Sequence, residues 1–157
     1  MILDRNLIVS GSVGGTATTP VITGQAITAT AVSTDTIDLT NARDLFEGSD
    51  LVKLNVVLLA AFNTLTSLTF EIIQADDAAL TSNVTVVGSS GAVPLARLTL
   101  GARFEVEGNA RIGSNGQRYL GARYTVTGAN PTLGSVLAAF NDQVQDFKTY
   151  ASGFAVL

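Results

Sequence analysis

Four short stretches carry side chains whose types and spacing could do chemistry. Asp76 and Asp77 form the densest acidic spot and would offer oxygen ligands to a hard cation. A calcium loop needs further oxygen donors at regular spacing, and Ala78, Ala79 and Leu80 interrupt that series, so a solvated turn fits better. Glu105 and Glu107 stand two residues apart, on one face of a strand, as a carboxylate pair for acid-base work would require. Strand alternation explains them more simply, with Arg103, Arg118 and Arg123 placed to offset them across neighbouring strands. Gly11-Ser-Val-Gly-Gly15 has the glycines of a phosphate-cradling loop but neither its Gly-Lys-Ser/Thr ending nor an amphipathic helix after it. Asn83-Val-Thr85 matches a glycosylation acceptor, yet reads as an ordinary loop-to-strand junction.

What is missing narrows the chemistry further. The chain has no histidine and no cysteine. That removes the commonest general base, every Ser-His and Cys-His arrangement, thiolate metal sites and disulfides. The expectation is a protein that is not an enzyme and carries no cofactor or metal. The net charge is −4, and the nine basic residues are scattered singly, which offers no footprint for a phosphate backbone and no direct nucleic-acid partner. The longest apolar run, residues 56–62, falls short of the roughly 18 apolar residues that span a bilayer, so no membrane is expected either. The opening Met1-Ile-Leu-Asp-Arg5 lacks the basic region and apolar block of a secretory signal.

The elements that would position these residues are strands. With 157 residues, 46% of them hydrophobic, the chain can bury roughly 70% of its unfolded surface in one core. Thr and Val are abundant while Lys occurs only at 53 and 148, a composition suited to pleated, half-buried surfaces. From residue 34 onward, short runs of strand formers recur between turn signals and predict an all-β, eight-stranded antiparallel sandwich. The candidate strands are 36–39, 51–61, 67–74, 84–87, 93–100, 103–107, 118–127 and 133–145. Inward faces are legible in Val52, Leu54, Val56 and Leu58, in Leu68, Phe70 and Ile72, in Phe104 and Val106, and in Leu120, Ala122, Tyr124 and Val126. Phe62 and Phe140 also fall at core positions, which leaves no aromatic stripe for stacking bases. The segment 133–145 fits either a helix or a strand; the need to close the sheets favours a strand.

The two ends differ from this middle. Residues 1–33 read as an N-terminal arm, Gly- and Thr-rich from 10 to 30, which the entropy of ordering leaves partly flexible. Ahead of that stretch stand the apolar residues Leu3, Leu7, Ile8 and Val9. Residues 34–145 form the sandwich domain, and residues 146–157 a tail ending in Phe147, Tyr150, Phe154, Val156 and Leu157. Such a tail docks on its own domain or on a neighbouring subunit, where aromatics are frequent anchors.

Three motifs in order, Met1-Ile-Leu-Asp-Arg5, Val32-Ser-Thr-Asp-Thr-Ile-Asp-Leu39 with Ala42-Arg-Asp44, and Tyr150-Ala-Ser-Gly-Phe154, resemble those of capsid cement (decoration) proteins of tailed bacteriophages. The resemblance is to the jelly-roll family typified by a Bordetella podophage. Ala151 stands where that family usually has proline, and residues 10–24 look like an insertion relative to its shorter members. The resemblance implies an eight-stranded jelly roll on the outer surface of a phage head, made and assembled in the bacterial cytoplasm. It would be a homodimer or homotrimer that bridges capsomers of the major capsid protein and stabilises the shell. Leu3, Leu7, Ile8, Phe147, Tyr150, Phe154 and Leu157 are then the candidate interface residues. Two other classes stay open: a carbohydrate-binding jelly-roll module displayed on a virion or cell surface, and a small hydrolase using carboxylates alone.

Overall fold

The structure is a computed structural model that describes residues 5–16, 19–43, 45–46, 52–110 and 116–141. The described residues form twelve strands: β1 (Ile8–Ser10), β2 (Ser12–Thr16), β3 (Thr19–Thr23), β4 (Gln25–Ala26), β5 (Ala31–Val32), β6 (Ile37–Arg43), β7 (Lys53–Ala60), β8 (Leu65–Ala75), β9 (Thr85–Pro94), β10 (Arg103–Glu107), β11 (Gln117–Gly128) and β12 (Ser135–Asn141). Two three-residue 3-10 turns, Arg5–Leu7 and Leu95–Arg97, are the nearest approach to a helix, and no helix here is long and apolar enough to cross a membrane.

Every pairing is antiparallel. In the first sheet β12 lies between β7, which continues to β10, and an edge shared by β1 and β4. The second sheet has the same plan: β11 lies between β8, which continues to β9, and an edge shared by β5 and β6. β2 and β3 make a separate two-stranded ribbon.

The two sheets pack face to face because alternate residues of each are apolar. Leu54, Val56 and Leu58 of β7 and Val136, Ala138 and Phe140 of β12 share one core with Leu68, Phe70 and Ile72 of β8 and Leu120, Ala122 and Tyr124 of β11. Phe70 stacks on Phe104 of β10 at 4.9 Å between ring centroids and meets Tyr124 edge-on at 6.1 Å, arrangements that aromatic quadrupoles favour. Two smaller clusters lie on the outer faces. Ile8, Leu137 and Ala139 are covered by Val13 and Ile22 of the ribbon, while Ile73, Ala75 and Leu80 sit under the loop between β8 and β9 with Val84 and Tyr119.

The strand pattern differs from the sequence expectation in two places. Segment 84–87 and the start of 93–100 are joined as the single strand β9, whose register shifts against β8 fall at Val87 and at Ser90 and Gly91, the last at φ 67°. The strand ends at Pro94, and a 3-10 turn follows. The stretch read as an arm contributes β2 to β5, and Val9 and Ile27 beside them are fully buried in the main core. Part of this stretch pairs with itself in the local β2–β3 hairpin. The ambiguous segment near the end is a strand over Ser135–Asn141, and it occupies the middle of its sheet.

β1 and β4 are two parts of one edge strand. Ser10 faces Ala138 and Gln25 faces Val136, leaving room opposite Leu137 for one residue. Gly11 fills the junction at φ 83°, and a Cβ there would meet Leu137 and the Gly24 backbone, so the ribbon leaves and re-enters the edge at almost the same point.

Candidate interaction surfaces

The carboxylates singled out in the sequence are partnered, though not as expected. Lys53 on β7 reaches Glu105 at 2.9 Å and Glu107 at 3.0 Å on β10, because Asn55 stands opposite Glu105 and Lys53 opposite Glu107. These hydrogen bonds raise the lysine pKa. Arg118 and Arg123, expected to offset those two glutamates, lie on the other sheet and pair elsewhere. Arg118 donates twice to Asp38 of β6, at 2.8 and 2.7 Å. Arg123 donates to Glu71 of β8 at 2.8 Å, directly across the strand pair, and Thr125 adds a hydroxyl at 2.7 Å. Strand neighbours in space are set by sheet order, which alternation within one strand does not reveal.

The guanidinium and the Thr40 amide hold Asp38 at a pKa of about 2. For Glu71, burial alone would raise the pKa, and the hydrogen bonds from Arg123 and Thr125 outweigh it and keep it low. Asp77 closes its own loop: it accepts the Ser82 amide at 2.7 Å and the Thr81 amide and hydroxyl at 2.9 and 2.7 Å, which lowers its pKa. Asp76 takes the Asn83 carboxamide at 3.0 Å and that of Gln117 at 3.2 Å. These bonds make the pair a folded turn, and no group of three metal-ligating side chains occurs among the described residues. Asn83, at φ 52°, ends that turn just before β9 begins. The glycines from Gly11 to Gly15 lead into and form β2, so no helix follows them.

Of the candidate interface residues, Leu7 is half-buried and Ile8 is 7% exposed, packed on Leu137 and Ala139 of its own chain. Leu3, Phe147, Tyr150, Phe154 and Leu157 lie outside the described residues. Among the described residues, the large apolar side chains that face solvent are Leu100 at 70%, Leu133 at 63%, Val21 at 52% and Val86 at 41%. Leu100 and Leu133 lie in loops near the end of β7: Gly101 donates to the Leu58 carbonyl of β7 at 2.8 Å, and Leu133 donates to the side chain of Asn63, in the loop after β7, at 3.0 Å. An open, polar cleft of about 310 Å³ lies between Arg5, Asn6, Asp35 and Thr36. The ribbon carries an apolar signal toward the domain in Val13 and Ile22, which face each other across β2 and β3.

Comparison with known proteins adds one match. The sequence profile of the Bbp16 family matches residues 21–140, which span β4 to β11 and nearly all of β12. No curated protein matches the chain. The profile covers well over half of the 157 residues and both sheets of the sandwich. On that span the chain belongs to the Bbp16 family, which is named after a Bordetella phage protein.

Proposed function

We propose that this chain is a capsid cement protein, a binding module that sits on the outer surface of a phage head, bridges capsomers of the major capsid protein and stabilises the shell. The observation that carries this reading is the Bbp16 family match over residues 21–140. The fold supports it. Taking β1 with β4 and β5 with β6, each pair sharing one edge, leaves eight strands in two four-stranded sheets. Their chain order is the one expected of a jelly roll, a fold common in viral capsid domains, and so favours this reading.

Such a protein works by binding energy rather than by catalysis. It binds the assembled lattice and not free subunits, and so shifts the equilibrium toward the closed head by mass action. Contacts to two capsomers at once add avidity without new chemistry. The chain ends, with Leu3, Leu7, Phe147, Tyr150, Phe154 and Leu157, are the proposed contact segments, and the protein acts as a homo-oligomer.

The test is reconstitution. Heads assembled without this protein should take up the purified chain in a saturable way and release their genome at a higher temperature once decorated. A chain lacking residues 146–157 should decorate fewer sites and protect less. Heads that ignore the full-length chain would overturn the cement reading; equal decoration and heat resistance with the truncated chain would overturn the role of the tail.

A further inference from the structure

We propose that β2 is a self-pairing edge, through which two copies of this chain join by antiparallel β2-to-β2 pairing about a two-fold axis near Gly14. Among the described residues the ribbon of β2 and β3 is two strands wide, and β2 pairs with β3 alone. An edge strand with open N–H and C=O groups is a template for another strand unless something blunts it.

The two edges of the ribbon are not equivalent. On β3, Pro20 stands opposite Gly15 and has no N–H to give, so that edge is interrupted. Antiparallel pairs alternate between those that exchange hydrogen bonds and those whose groups point away. A proline fits the second kind, which makes Val13 and Ile22, two positions along, another pair with its backbone groups turned outward. β2 carries no proline, Gly15 alone departs from extended backbone at φ 89°, as glycine can, and Ser12, Gly14 and Gly15 are exposed. One usable edge on the ribbon closes into a dimer, whereas two would propagate into an open filament.

The partner best suited to this edge is a second copy. Pairing about a two-fold axis sets each side chain near its own counterpart, where any charge would meet its like at a cross-strand cost. No charged residue lies between Arg5 and Asp35. Gly14 and Val21, opposite each other, face away from the face on which Val13 and Ile22 pack, and a Cβ at Gly14 would meet nothing within 4 Å. The surface near the proposed axis is therefore uncharged and open at Gly14. This pairing needs no capsid, so it stands or falls separately from the cement reading.

Sedimentation of the full chain alone should give twice the mass of one chain. Gly14→Lys should halve that mass without moving the thermal transition of the domain, since the new side chain has open space in the monomer; Gly14→Ala should leave the mass doubled. Excision of residues 12–24, which joins Gly11 to Gln25 in register, should also halve the mass while the sandwich stays folded. The Val13 amide should exchange slowly with solvent deuterium in the wild type. A wild-type chain of single or triple mass, a fast Val13 amide, or a doubled mass in Gly14→Lys or the excised chain would overturn the proposal. If either variant failed to fold, the wild-type mass and its Val13 exchange would still decide.

Discussion

The Ser10 hydroxyl lies 2.6 Å from the Tyr124 phenol oxygen, a hydrogen bond between residues 114 positions apart in the interior of the sandwich. Ser10 is on β1 of the first sheet and Tyr124 on β11 of the second, and both are fully buried. Burial pushes the phenol pKa up, and the bond from Ser10 offsets only part of that, so the ring stays neutral. The pair fastens a three-residue edge strand to the opposite sheet, an attachment that β1 is too short to secure by its ladder alone.

Removing one side of this pair strands the other in a dry core. Ser10→Ala should cost about 1–3 kcal/mol, the penalty of a buried polar group without a partner. Tyr124→Phe should destabilise as well, and the double variant should lose less than the sum of the two. Urea unfolding of the four chains closes this cycle, and strict additivity would show that the two hydroxyls do not interact.

Acid should destabilise the fold through Asp38, Glu71 and Asp77, whose pKa values are all lowered in the folded state. A lowered carboxyl stabilises the fold fully above its unfolded pKa, and that contribution is lost as pH falls through the folded value. For Asp38 the window runs from 3.8 down to about 2. The melting temperature should therefore fall steeply between these values, and Asp38→Asn should be less sensitive to pH there than the wild type.

Gly134 is the glycine whose replacement should be least tolerated at the loop end of the sandwich. It sits at φ 133°, and a Cβ would enter the Phe62 ring, itself 6% exposed. Gly134→Ala combines backbone strain with overpacking and should cost roughly 2–4 kcal/mol. Chemical denaturation measures it. Gly91→Ala, at φ 67° with nothing within 4 Å, is the control that carries strain alone and should cost less.

The sandwich was legible because strand alternation is a local property. Leu68, Phe70 and Ile72, or Leu120, Ala122 and Tyr124, announce an inward face without reference to any neighbour, and all six are core residues. Pairing was not legible. Whether Arg118 meets Glu105 or Asp38 depends on which strands adjoin, and β11 adjoins β6 rather than β10. The ribbon escaped notice for a different reason: glycine and threonine suit both coil and strand, and Val13 and Ile22 point to the domain only once their pairing is known. Ser10 gave no sign of its partner, since one serine in a Gly/Thr-rich stretch looks like any other.

The ribbon should also loosen separately from the domain that carries it. Its inner residues Val13 and Ile22 pack with Ile8, Leu137, Ala139 and Leu59 in a cluster apart from the main core. Ile22 is only half-buried, so Ile22→Ala should cost about 1 kcal/mol, against about 3–5 for Phe70→Ala, whose ring is fully enclosed. Small, peripheral clusters open locally before the global transition. In Ile22→Ala, amide exchange should quicken within β2 and β3 while β7, β8, β11 and β12 keep their protection. Uniform acceleration across both sheets would instead mean that the ribbon and the sandwich unfold as one unit.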